Sequence, residues 1–380
     1  MSSVRLFFAG DFCSKPSTSF ISVSEELKKL IQSCDLKVIN FEVPLKPEID
    51  LPPQQVERFW QHDDVPGFLK NLGFNLFSMA NNHSFDWGDA GYWKTKKALG
   101  DQAFGAGTYD EAYRVKVCEV NGVKIGFMAL TYAAYTGVFD DVLHHEGLGC
   151  AYIHDLRVNH DIVEAKKELD YLFILPHDGI EYIDVPLPET IARYHDFIDW
   201  GADGVIGSHP HCPQGWETYK GKPVFYSIGN FFFNSKEDTS YRAWNRPHWY
   251  EGICVEMTLS DGETSYRIIN TKNIDNVSLA IDIDNDKCRN EHNNILSSYL
   301  TDESRYYAYL NSRCRDISKK REIPIIDGIF HFSKISTKRL IKNWVKILLK
   351  KSDSIDFSLF TILKDDTRKN TLLRYLREDE

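Results

Sequence analysis

The chain has no stretch approaching the roughly 20 consecutive apolar residues that a membrane-spanning helix needs. It also lacks any C-x-x-C pair. Its eight cysteines (Cys13, Cys34, Cys118, Cys150, Cys212, Cys254, Cys288 and Cys314) are scattered, which excludes a zinc knuckle or a disulfide framework and leaves most of them to be buried thiols. No internal repeat or low-complexity tract is present. Positive charge is in deficit, with 45 Lys+Arg against 55 Asp+Glu and a net charge of −10, so a general nucleic-acid binder is excluded, because phosphate contacts need a basic surface. The amino terminus has one basic residue, and its short apolar run, Leu6 to Ala9, meets Asp11 too soon for a signal core. A cytoplasmic protein is therefore expected.

What is present is a folding composition: 42% hydrophobic and 13% aromatic residues in 380. That composition can offset the entropy of ordering the chain, and the length suits one large domain with an appendage, or two domains. To about residue 234, β-branched and aromatic runs alternate with helix-like segments, which predicts an α/β layered fold. Strands are predicted at Val4–Ala9, Leu36–Phe41, Leu76–Met79, Val115–Glu119, Lys124–Leu130, Tyr171–Leu175, Gly204–Ile206 and Val224–Ser227. Helices are predicted at Ser24–Ser33, with Ser24 as cap, and at Pro188–Trp200. The segment Asn234–Glu251 reads as a long loop able to form a lid, with Arg242, Trp244 and Arg246 on it.

The character changes at about residue 270, so a domain over 1–270 and an extension over 271–380 are expected. Residues 331–380 carry 12 Lys+Arg and 7 Asp+Glu, a local +5, which leaves −15 on the first 330. In this tail Leu340, Ile341, Trp344, Val345, Leu348 and Leu349 recur at helical spacing, and Lys338, Lys342, Lys346 and Lys350 fall four apart. This is an amphipathic helix. It either packs on the main domain with a solvated charged face or rests on anionic lipid at the inner membrane face.

The chemistry gathers where predicted strands end. Val4–Ala9 runs into Asp11, Leu36–Phe41 into Glu42, Leu76–Met79 into Asn82 and His83, Tyr171–Leu175 into His177, and Gly204–Ile206 into His209 and His211. In layered α/β folds ligand sites lie beyond the carboxyl ends of strands, so these five ends can converge. One Asp, one Glu, one Asn and three imidazoles suit Mn, Fe or Zn. Two cations about 3.5 to 4 Å apart can hold a hydroxide and clamp phosphate oxygens for in-line hydrolysis. His83, not itself on metal, can protonate the departing oxygen, with Asp86 orienting it. Glu181 and Asn230 sit in neighbouring motifs and are candidates for substrate contact.

The ordered series Gly10-Asp11, Asn40-Phe41-Glu42, Ala80-Asn81-Asn82-His83 with Asp86, Pro176-His177-Asp178-Gly179 with Glu181, Gly207-Ser208-His209-Pro210-His211 and Tyr226-Ser227-Ile228-Gly229-Asn230-Phe231 resembles the CapA family of poly-gamma-glutamate capsule synthesis, within the calcineurin-like metallophosphoesterase superfamily. The resemblance implies a four-layer αββα sandwich of two mixed sheets, followed here by a mostly helical C-terminal extension. It implies Asp11 and His211 on one metal, Glu42 bridging, Asn82, His177 and His209 on the second, and His83 as catalytic histidine. Cys13 stands where the superfamily usually has a histidine ligand. It is either a thiolate ligand or no ligand, the latter leaving the first metal weakly held.

Three functions follow. The first is a metal-dependent phosphoesterase-like hydrolase with two divalent ions, acting on a phosphorylated small molecule or an anionic surface polymer in capsule metabolism. The second is a gamma-glutamyl amide hydrolase using the same site. The third is a weakly metal-binding accessory protein that engages polymer or a membrane-associated capsule synthase.

Overall fold

The computed structural model describes residues 3–49, 51, 58–133, 137–140, 145–234, 248–260 and 262–320. The predicted basic helix of the tail and the lid residues Arg242, Trp244 and Arg246 lie outside them.

In chain order the first third contains β1 (Val4–Ser14), β2 (Ser22–Val23), α1 (Glu25–Gln32), β3 (Leu36–Phe41), α2 (Val65–Leu72), β4 (Leu76–Ser78), α3 (Gly88–Leu99), β5 (Ala103–Phe104), β6 (Ala106–Gly107) and α4 (Tyr109–Tyr113). There follow β7 (Lys116–Val120), β8 (Val123–Thr131), β9 (Gly149–Cys150), α5 (Leu156–Lys166), β10 (Tyr171–His177), α6 (Pro188–Asp199), β11 (Gly204–Ile206), β12 (Trp216–Tyr219) and β13 (Lys222–Phe225). The last are β14 (Asn230–Asn234), β15 (Glu251–Ser260), β16 (Glu263–Ile274), β17 (Ser278–Ile281), α7 (Asp286–Tyr299) and α8 (Glu303–Lys320).

These strands form two mixed sheets. One runs β2-β17-β16-β15-β1-β3-β4-β5, with β14 also paired to β1; the other runs β12-β13-β11-β10-β8-β7. The sheets face each other across an aromatic core in which Phe8 of β1 meets Phe127 of β8 at 6.3 Å and Phe173 of β10 at 5.7 Å. Because side chains alternate along a strand, the next residues, Met128, Leu172 and Ile174, face outward. There they pack with Val158 and Ile162 of α5 and Tyr194 and Phe197 of α6. On the far side of the first sheet, Phe12 and Phe7 meet Phe68 of α2 and Phe74 just after it, and Leu27 and Ile31 of α1 join the same core. The result is an αββα sandwich, as the sequence leads one to expect. Ser24 caps α1 by accepting from the Leu27 amide at 3.3 Å.

Three boundaries differ from expectation. β1 continues past Ala9 to Ser14, because after a bulge at Asp11 it goes on pairing with β14 and β3. β10 continues to His177, held in parallel register with Thr131 of β8. The change of composition near 270 is not an edge of the fold. β16 runs through it, β17 pairs with β16, and the compact unit extends over Met1–Asp302. α7 therefore belongs to that unit, its Ser297 hydroxyl accepting from the Trp216 amide at 3.1 Å. α8 belongs to a second unit, Glu303–Glu380. No helix among the described residues is long and apolar enough to cross a membrane.

Candidate metal centre

Asp11 sits on the bulge of β1, wholly buried. The glycine before it is required by close approach: a Cβ on Gly10 would lie 1.8 Å from the Gly229 carbonyl oxygen. Gly207, ahead of the two histidines after β11, is under the same constraint, 2.1 Å from the Tyr226 carbonyl. These contacts bring backbones together, so that side chains from β1, β3, β10 and the turn after β11 meet.

They meet in two groups that share Glu42. Asp11, Glu42 and His211 offer donor atoms all within 4.8 Å of one another, all three residues buried. His211 Nδ1 is 3.5 Å from Asp11 Oδ2, and its Nε2 is 3.4 Å from Glu42 Oε1. In the other group, His177 Nε2 lies 2.9 Å from Asn82 Oδ1, 3.2 Å from His209 Nδ1 and 3.9 Å from Glu42 Oε1. His209 and His211 both take left-handed backbone, with φ of 103° and 56°. This costs non-glycine residues about 1 kcal/mol or more each and collects at functional sites.

The surrounding groups orient these side chains. Asn40 Nδ2 donates to Asp11 Oδ1 at 2.7 Å and lies 3.2 Å from His177 Nδ1. The Ser208 hydroxyl is 3.0 Å from the same Nδ1, and the His209 amide donates to Asp11 Oδ2 at 3.2 Å. Asn230, expected at the substrate, is engaged instead in positioning: its Oδ1 is 2.9 Å from His211 Nδ1, and its amide nitrogen donates to the Trp249 carbonyl at 3.0 Å. Glu181 is half-buried and close enough for its charge to act on Glu42, His83 and His211. Cys13 is buried on β1, but its thiol is not in the Asp11, Glu42, His211 group.

His83 stands beside the second group with a partner of its own. Its Nδ1 is 2.9 Å from Asp86 Oδ2, which also accepts from the Phe59 amide at 2.8 Å, and its ring lies 4.8 Å from that of Phe59. Burial would lower the His83 pKa, but Asp86, aided by Glu181 and Asp11, outweighs it and raises the value. Two of the neighbouring histidines behave oppositely. Burial, reinforced by neighbouring imidazoles, holds His177 well below the ordinary range, and burial also lowers His211.

Burial raises the Asp11 pKa, and burial together with the Asp11 charge raises Glu42 well above the carboxylate range. Both Glu42 oxygens are buried without a hydrogen-bond partner. A carboxylate in that position costs several kcal/mol unless a cation compensates it. Imidazoles, an amide oxygen and the Asp11 carboxylate around one shared acid, Glu42, are a donor set that fits divalent metal. Sequence reasoning quoted Asn40 without giving it a role, although it precedes Glu42 by two residues. Ser208 is equally central, and no spacing rule marks it.

An αββα sandwich with this donor set at the strand ends of both sheets defines a metallophosphoesterase-like protein. The chain belongs to the family described as "Bacterial capsule synthesis protein PGA_cap", whose profile matches residues 5–235. It is similar to "Capsule biosynthesis protein CapA" of Bacillus anthracis, 27% identical over 254 residues that cover 64% of this chain and 59% of that protein. It is also similar to "PGA biosynthesis protein CapA" of Bacillus subtilis, 29% identical over 223 residues that cover 56% and 57% of the two chains. A third relative, from Mycobacterium tuberculosis, is named "Probable polyglutamine synthesis accessory protein" and is 28% identical over 52% of this chain and 55% of its own. The match thus spans less than two thirds of each relative.

Proposed function

We propose that this chain is a metal-dependent hydrolase of the phosphoester class that acts in capsule or poly-gamma-glutamate synthesis, with an anionic surface polymer or a phosphorylated small molecule as substrate. The observation that carries this reading is the buried Glu42 carboxylate, which has no hydrogen-bond partner and is shared by two groups of ligand atoms. Asp11 and His211 would hold one ion, Asn82, His177 and His209 the other, and Glu42 both. Divalent ions held there would polarise a phosphoryl oxygen and acidify water. His83, kept protonated to higher pH by Asp86, gives its proton to the departing oxygen. His177 and His211, kept neutral by burial, present lone pairs without needing to lose a proton first.

A second reading is favoured by Cys13, whose thiol stays out of the first group, and by the relative named as an accessory protein. In it the chain holds metal weakly and binds polymer or a membrane-associated synthase. One experiment separates the two: metal per chain, and hydrolysis of an aryl phosphodiester, an aryl monoester and a gamma-glutamyl anilide with and without EDTA. The enzyme reading expects about two Mn, Fe or Zn per chain and EDTA-sensitive turnover. It also expects His83→Ala to cut that turnover about 10²- to 10⁴-fold with metal retained, and His209→Ala to lose both. One ion or none, with no turnover after reloading, favours the accessory protein.

A further inference from the structure

A second group of metal-type donors lies away from Glu42. Asp184, in the loop after β10, His248, just before β15, and His292, on α7, place one ligand atom each within 4.8 Å of the others. The two imidazoles lie nearly parallel, 11° apart with centroids at 5.0 Å. His292 Nε2 is buried without a hydrogen-bond partner, although buried ring nitrogens are normally satisfied. Burial, seconded by His248, lowers the His292 pKa, so this ring is neutral and its lone pair is available. A cavity of about 260 Å³ adjoins the group, lined by His248, His292, Glu251, Cys288 and Arg289 among others. Glu251 Oε2 is 3.7 Å from His248 Nδ1, and Arg289 donates to the Thr271 and Gly252 carbonyls at 2.6 Å each.

We propose that Asp184, His248 and His292 form a separate zinc-type cation site that ties α7 to the wall of the first centre. Two imidazoles and a carboxylate are a usual three-ligand set for zinc, and a fourth position is left open to the cavity. Donors on a zinc tetrahedron stand about 3.3 Å apart, so closure requires the two stacked imidazoles to turn until their lone pairs converge on one ion. The site is coupled to the first centre by sequence neighbours. Tyr182, two residues before Asp184, and Trp249, next to His248, have ring centroids 6.2 and 4.9 Å from that of His211 and 5.8 Å from each other. A cation at the second site therefore holds two of the aromatic rings packed around His211.

The test is zinc stoichiometry and affinity on the full chain, by dialysis against buffered Zn²⁺ followed by metal analysis. Wild type should hold one zinc more per chain than His292→Ala and His248→Ala. Asn82→Ala, at the first centre and bonded there to His177, should keep the zinc that depends on His292, so failure of the first centre to load leaves this result readable. In wild type, zinc should also reduce carbethoxylation of the partly exposed His248 at least tenfold by peptide mass mapping, a readout that survives if the His292 variant does not fold. Equal zinc in wild type and the folded variants, or unchanged His248 labelling with zinc present, overturns the proposal.

Discussion

At the scale of single residues, the centre depends on side chains that do not touch metal. Asn40 reaches Asp11 and His177 with one amide nitrogen, and so fixes the orientation of one side chain from each of the two groups. Such supporting contacts are commonly worth 10- to 100-fold in metal affinity. Asn40→Ala is therefore expected to weaken metal binding by about that factor, as checked by chelator competition on a variant whose circular dichroism matches the wild type. An unchanged affinity would mean that the donors hold their places unaided. The candidate ligands were legible because each falls just after an apolar run: Asp11, Glu42, Asn82, His177, His209 and His211 need only strand recognition to be suspected. Asn40 was equally available by the two-residue period of β3, which puts it on the face that leads to Glu42. The Asp184, His248 and His292 group was not. Its members carry no motif and are brought together only by the path of the chain through β15 and α7.

At the scale of elements, the first sheet is laced across three strands by one acid. Glu256 of β15 lies opposite Phe7 of β1 and Arg267 of β16. Its carboxylate accepts from Arg5, whose Nε is at 3.1 Å, and from Arg267. Burial works to raise the Glu256 pKa, but the bonds from Arg5 and then Arg267 prevail and lower it. A carboxyl with a depressed folded value stabilises fully above its ordinary value of 4.5, and the contribution is lost as pH falls below that. Glu256→Gln should thus cost about 1–2 kcal/mol at neutral pH, and the gap from wild type in urea melts should close as the pH is taken below 4.5. A gap independent of pH would refute the ion-pair account. Of the strands this lacing joins, β1 was legible in the sequence, whereas β15 and β16, like β14, were not. β14 pairs in parallel with β1 across more than two hundred residues, which no local pattern encodes. The β15–β16 hairpin offered an Asp261-Gly262 turn signal that lies beyond the segment whose alternation was read.

At the scale of the whole molecule, the folded unit ends at Asp302 and not at the change in composition near 270. Arg289 of α7 bonds the carbonyls of Thr271 and Gly252, so the Asn- and Asp-rich stretch after residue 270 is part of the folded unit. A chain ending at Asp302 should melt cooperatively with near-UV circular dichroism like that of the full chain, and one ending at Asn270 should not. Matching melts for the two would restore the earlier boundary. The donors themselves are divided, with Asp11, Glu42 and Asn82 on or just after strands of one sheet and His177, His209 and His211 on or just after those of the other. A cation that touches both binds only chains whose sheets are already stacked, so its binding free energy adds to that of folding. With such a cation bound, the amount of intact protein that escapes proteolysis in a cell would rise and fall with metal supply, and starvation for the ion would remove the protein itself.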